Sequence, residues 1–125
     1  MLFRSARFRD PLLPGKLATL LPKGEYRFAN APAGGAELAA ISFALSAYRF
    51  DRYRKSKAEA PRLATPDGVD ARRVARIVEG LSLARDLINT PANDMGPEAL
   101  EKAALGVAKK HRASASVIQI GRAHV

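Results

Sequence analysis

Pro91 and Pro97 frame the segment that most constrains this chain: Asn89-Thr90-Pro91-Ala92-Asn93-Asp94-Met95-Gly96-Pro97. Upstream, Val74, Ile77, Val78, Leu81, Ala84, Leu87 and Ile88 recur at helical spacing and form one apolar stripe, which predicts a helix over 71–89 with Asp70 as its cap. Pro91 has no N–H to donate and pushes Thr90 out of the helical region, so that helix must stop. The side chains of Asn89, Thr90, Asn93 and Asp94 can satisfy backbone groups orphaned at the stop. Pro97 suits the first turn of a new helix, where its missing N–H costs nothing. The segment therefore reads as helix, elbow, helix, an arrangement suited to joining two domains.

The restarted helix is predicted over 97–112, with Leu100, Ala103, Ala104 and Val107 on one side. Glu98 and Glu101 lie early and Lys109, Lys110 and Arg112 late, the order the helix dipole favours. Ser116-Val117-Ile118-Gln119 reads as the start of a strand.

Before the elbow, residues 6–14 carry Arg and Pro without a period and read as loop. A short helix is predicted over 16–21, then a turn at Pro22-Lys23-Gly24. Glu25-Tyr26-Arg27-Phe28-Ala29 alternates polar and apolar and reads as a strand. Residues 30–35 read as loop. Residues 36–53 read as a helix, because Leu38, Ile41, Leu45 and Tyr48 share one face; Phe43 and Phe50 lie elsewhere on it, so more than one face is open to covering. A polar connector over 56–61 leads to a strand at Arg62-Leu63-Ala64-Thr65 and a turn at Pro66-Asp67-Gly68. The order strand, helix, strand, helix, helix, strand argues for an α/β class.

Composition bounds the rest. With 125 residues there is room for one domain, or one small domain plus the start of another. Trp is absent and aromatics are 6%, so the core must be built mainly from Leu, Ile, Val and Ala and is thin. Zero cysteines excludes disulfides and thiolate metal sites and fits a reducing cytoplasm. No apolar run is long enough to span a bilayer, and Asp10-Pro11 follows Arg7 and Arg9 where a signal peptide would carry an apolar stretch. The formal charge of +9 invites a nucleic-acid reading. Its carriers are scattered, however: Arg49, Arg52, Arg54, Lys55 and Lys57; Arg72, Arg73 and Arg76; Lys102, Lys109, Lys110 and Arg112. The segment from Tyr48 to Lys55 has two readings. One is an aromatic and basic surface for single-stranded nucleic acid. The other is a helix end, with Tyr48 packed inward and Arg52, Arg54 and Lys55 at the negative end of the dipole.

Residues for chemistry are sparse. The histidines are His111, in a basic helix end, and His124, and neither has a carboxylate at metal-pair spacing. No Ser stands in a Gly-x-Ser-x-Gly context. Gly34-Gly35 is a loop pair and not a phosphate cradle. Asp86 and Asp94 are the best-placed carboxylates, and both read as cap or surface residues before they read as an acid/base pair. No catalytic, cofactor-binding or metal-ligating residue is assigned.

Ala84-Arg85-Asp86-Leu87-Ile88-Asn89-Thr90-Pro91-Ala92-Asn93, followed by Met95-Gly96-Pro97, resembles the segment that opens the catalytic domain of leucyl (cytosol) aminopeptidases. Tyr48-Arg49-Phe50-Asp51-Arg52-Tyr53 resembles an earlier mark of that family's bacterial members, and the resemblance extends over about residues 17–119. It implies a partial N-terminal α/β domain over 6–69, a linker helix over 70–89, and over 90–119 the first helix and strand of the catalytic domain. It also implies a cytoplasmic hexamer that releases N-terminal residues from peptides. Two divalent metal ions (Zn, Mn or Mg), held by Asp, Glu and Lys, would activate a water and clamp the peptide carbonyl. Those ligands belong downstream of the elbow and have no counterpart in this sequence, so a chain of this extent is expected to be inactive and to bind no metal. The alternative is a small basic module that binds nucleic acid or regulates; some bacterial relatives in the family bind DNA. No membrane association is expected.

The two ends look foreign to both readings. Ile120-Gly121-Arg122-Ala123-His124-Val125 is the translation of a common sequencing adapter. Met1-Leu2-Phe3-Arg4-Ser5 is that of its reverse complement read from a GTG start. Residues 1–5 and 120–125 are therefore expected to be adapter-derived. Removing Arg4 and Arg122 leaves the basic bias in place.

Overall fold

The computed structural model describes residues 10–30, 34–55 and 59–118. Both suspected adapter ends lie outside the described residues, as do 6–9 and Gln119. The chain divides into two compact units, residues 1–86 and 87–125.

The first unit begins with a 3-10 turn, Leu13–Lys16, that runs directly into the short helix α1, Leu17–Leu20. Helical structure thus starts inside the segment read as loop. Asp10 explains the early start: its carboxylate accepts the Leu12 N–H at 2.9 Å and its carbonyl the Leu13 N–H at 3.0 Å. Pro14 stands in the first turn, where proline breaks nothing.

Strand β1 (Glu25–Tyr26) pairs in parallel with β2 (Arg62–Leu63), in the register Glu25 with Arg62 and Tyr26 with Leu63. The Arg62 N–H donates to the Gly24 carbonyl at 2.9 Å and the Ala64 N–H to the Tyr26 carbonyl at 2.8 Å. Parallel strands require a crossover, and helix α2 (Ala36–Ser46) lies within it. The unit is therefore a small β-α-β arrangement, in keeping with the α/β class. Both strands are shorter than their sequence patterns. Among the described residues each has a single neighbour, and a strand extends only as far as its partner does.

Helix α2 supplies most of the core. Ala39, Ala40, Ile41, Ser42 and Phe43 are buried in succession, so the helix is covered on more than one face and the single stripe inferred from spacing does not describe it. It packs mainly against the 3-10 turn and α1, where Gly15 and Ala18 are buried. Small residues on both sides permit this close approach. The Ser42 hydroxyl is satisfied by the Ala39 carbonyl at 3.0 Å. The predicted extension of this helix to residue 53 is not found: α2 ends at Ser46, for a reason given below.

Pro66 to Val69 forms a turn closed by the Val69 N–H on the Pro66 carbonyl at 3.2 Å, with Gly68 at φ +78°, the geometry of a type II turn. Helix α3 then runs Ala71–Asn89, with the bounds its periodicity predicts. Asp70 caps it, its Oδ1 accepting the Arg72 N–H at 2.8 Å and the Arg73 N–H at 3.1 Å. No residue of α3 is buried; Leu81 and Ile88 remain exposed, Ile88 at 82%. Arg73 on its first turn pairs with Glu37 on the first turn of α2 at 3.0 Å.

In the second unit the elbow is closed by backbone: the Pro91 carbonyl accepts both the Asp94 and the Met95 N–H at 2.9 Å. Gly96 is the extended N-cap and Pro97 the first residue of helix α4 (Pro97–Lys110). At the other end the Ala113 N–H bonds the Ala108 carbonyl at 2.8 Å and the Arg112 N–H the Lys109 carbonyl at 3.2 Å. This is a Schellman closure with Arg112, at φ 54°, in the position glycine usually takes. No residue of α4 is buried. The strand expected from Ser116 is not formed over 116–118, and Ile118 is 86% exposed. A strand requires a neighbour to bond, and these residues have none of the ladder pairing that defines one. Among the described residues no helix is long and apolar enough to cross a membrane.

Candidate functional site

The first unit brings together residues 38 positions apart in sequence. The Tyr48 hydroxyl donates to Asp86 Oδ1 at 2.5 Å, and the Arg85 guanidinium lies 5.4 Å from the centre of the Tyr48 ring. Arg85 also donates from Nη1 to the Leu45 carbonyl at 2.6 Å. Consecutive helical residues point about 100° apart. Arg85 and Asp86 therefore hold Tyr48 from two directions, one on the ring face and one at the hydroxyl. Each contact joins a cation or an anion to the group it prefers.

This clamp explains the end of α2. Leu45 sits in the last turn, where carbonyls have no partner within the helix. Arg85 takes that carbonyl, and its positive charge stands at the negative end of the helix dipole. Tyr48 is half-buried beyond the helix end, not on its apolar face. The inward packing expected of it is kept in part, but the dipole role expected of Arg52, Arg54 and Lys55 falls to Arg85. The signal for Arg85 was present in its adjacency to Asp86, yet a position outside the α3 stripe reads from sequence as solvated surface.

The basic segment after Tyr48 folds on itself. Phe50 and Tyr53 meet edge to face at 5.8 Å, and Arg52 lies 5.8 Å from the Tyr53 ring centre. At the sheet end, Lys23, Gly24, Glu25, Glu59, Ala60 and Arg62 line an open cleft of about 220 Å³. That is smaller than the roughly 300–1,000 Å³ of ligand pockets, and no large hydrophobic or aromatic side chain is among its lining residues. Lys23 and Glu59 pair across it at 2.5 Å.

The sequence-level candidates are placed as follows. His111 is exposed at the C-cap of α4. His124 lies outside the described residues. Asp86 belongs to the Tyr48 clamp and Asp94 to the elbow turn. Among the described residues no group of three or more His, Cys, Asp or Glu side chains converges to hold a metal ion.

Comparison with known proteins gives these arrangements a context. Residues 7–66 match the family described as M17 aminopeptidase, N-terminal domain. The chain is 41% identical over 92 residues to a probable cytosol aminopeptidase of Neisseria meningitidis, covering 67% of this chain and 20% of that protein. It is 36% identical over 81 residues to a probable cytosol aminopeptidase of a Bradyrhizobium strain, covering 56% of this chain and 16% of the relative. In structure it resembles the cytosol aminopeptidase of Coxiella burnetii, with a TM-score of 0.72 and 34% identity over 82% of this chain and 23% of that one. The chain thus spans about a fifth of the length of the relatives it matches. The family match, the relatives and the shared fold agree that this chain belongs to the leucyl (cytosol) aminopeptidase family.

Proposed function

We propose that this chain is the N-terminal portion of a metal-dependent leucyl aminopeptidase that hydrolyses N-terminal residues from peptides, and that its hydrolytic machinery lies beyond this sequence. The observation that carries the reading is the extent of the match: two thirds of the chain aligns with a relative of which it covers only 20%. The apolar faces support it. Helices α3 and α4 carry apolar stripes yet bury no residue, and Val117 and Ile118 end exposed, as surfaces do that are made to be covered by more chain. On this reading residues 70–89 are the linker helix and 90–119 open the catalytic domain, while 1–5 and 120–125 stay assigned to adapter.

The full-length protein is then a peptide hydrolase that uses two divalent metal ions (Zn, Mn or Mg), assembles as a hexamer and works in the cytoplasm, the last in keeping with the relatives' name. This chain by itself does none of the chemistry. The alternative of a small basic nucleic-acid-binding module is not favoured, since the relatives named above are aminopeptidases.

Two assays test the reading. The purified chain should turn over no leucine amide with or without manganese, and turnover would reveal a site within it. A chimaera carrying residues 6–118 ahead of the remaining part of the Neisseria meningitidis protein should hydrolyse the same substrate. A chimaera that folds and assembles without activity overturns the proposal.

A further inference from the structure

Residues 47–53 (Ala47, Tyr48, Arg49, Phe50, Asp51, Arg52 and Tyr53) contain no Gly or Pro, and Tyr48 continues the helical spacing of Leu38, Ile41 and Leu45. Local sequence thus permits a continuing helix that the tertiary structure does not form. At the point where α2 ends stand three contacts from α3: Arg85 on the Leu45 carbonyl, Arg85 on the Tyr48 ring, and Asp86 on the Tyr48 hydroxyl. A carbonyl in the last turn would take the N–H four residues on if the helix continued, which for Leu45 is that of Arg49. Arg85 donates to that same carbonyl and, with Asp86, holds Tyr48 away from the course a continuing helix would take.

We infer that Arg85 and Asp86 are a conformational stop: they hold residues 47–53 out of a helix this segment would otherwise join, so α2 has a short, clamped form and a longer, released one. The clamped form orders Tyr48 against α3. The released form trades those contacts for further turns of α2, with Tyr48 carried onto the helix face that Ile41 and Leu45 share. Propagating an existing helix avoids the nucleation cost, which makes the released form accessible once the clamp is gone.

The test is to remove the stop and look for structure gained. Arg85→Gln deletes the charge and the stacked fork; Arg85→Lys keeps the charge but loses the planar group. In the 125-residue chain, both variants should shift the 13Cα resonances of residues 48–53 downfield, in the helical direction. They should also slow amide exchange at 49–53, while α3 amides stay protected. Tyr48→Phe, which removes only the hydroxyl contact, should give a smaller shift of the same sign. Loss of order that merely destabilised the region would move these resonances toward coil and speed exchange, and that result overturns the inference. Unchanged shifts in folded Arg85→Gln and Arg85→Lys overturn it as well. So does collapse of the whole first unit in both variants, because the released form requires α2 and α3 to persist without Arg85.

Discussion

Gly15 lies so close to Ser42 that a Cβ on it would sit 2.7 Å from the Ser42 carbonyl oxygen and 2.6 Å from the Ser46 hydroxyl. The backbone of the 3-10 turn therefore rests directly on α2. Gly15→Ala cannot be absorbed by a flexible side chain, because one of the clashing atoms is backbone. Overpacking of this kind costs about 1–3 kcal/mol. Urea titration should show a lower midpoint with an unchanged slope, whereas Gly80→Ala, with open space around it, should not lower stability.

Phe43 is 2% exposed and is the one large aromatic side chain among the buried hydrophobic residues described. Phe43→Ala removes the largest side chain of a buried set otherwise made of Ala18, Ala39, Ala40 and Ile41. Losses of about 3–5 kcal/mol are usual for such a truncation. That is comparable to the whole stability of a small, thinly packed unit. The variant should show no cooperative thermal transition by circular dichroism.

Arg112 holds a left-handed conformation, φ 54°, at the C′ position of α4. A side chain there costs roughly 1–2 kcal/mol of steric strain that glycine avoids. Part of the relief is returned as unfolded-state entropy. Arg112→Gly should therefore protect the last α4 amides from exchange, including that of Ala113, which closes the Schellman motif. Arg112→Val, branched at Cβ, should have the opposite effect.

Asp70 accepts two N–H groups at the start of α3, so Asp70→Ala should cost about 1 kcal/mol and Asp70→Asn much less. The exposed pair Lys23–Glu59 should matter little by comparison: with both side chains 67% exposed, Glu59→Gln should change the urea midpoint by no more than a few tenths of a kcal/mol.

Where an element's cause was local, it could be read directly from the chain. Asp70, the apolar stripe and Pro91 set both ends of α3, since a cap, a periodic face and a missing N–H act within one turn of themselves. Pro97 opens α4 for the same reason, and Gly68 marks its turn. Elements with distant causes could not be read this way. Strands β1 and β2 stop after two residues because each is as long as its partner allows, and their sequences do not name the partner.

The sequence by itself determined the positions of α3, the elbow and α4, the α/β class, and the two marks of family resemblance, because each is written in neighbouring side chains. Only the tertiary structure decided that those two marks meet, Tyr48 against Arg85 and Asp86, and that α2 ends at Ser46 and not at residue 53. The physical reason is sequence distance: a stripe or a cap acts within a turn of itself, while folding brings the Arg85 guanidinium to the Leu45 carbonyl from 40 residues away and sets Asp86 on the Tyr48 hydroxyl.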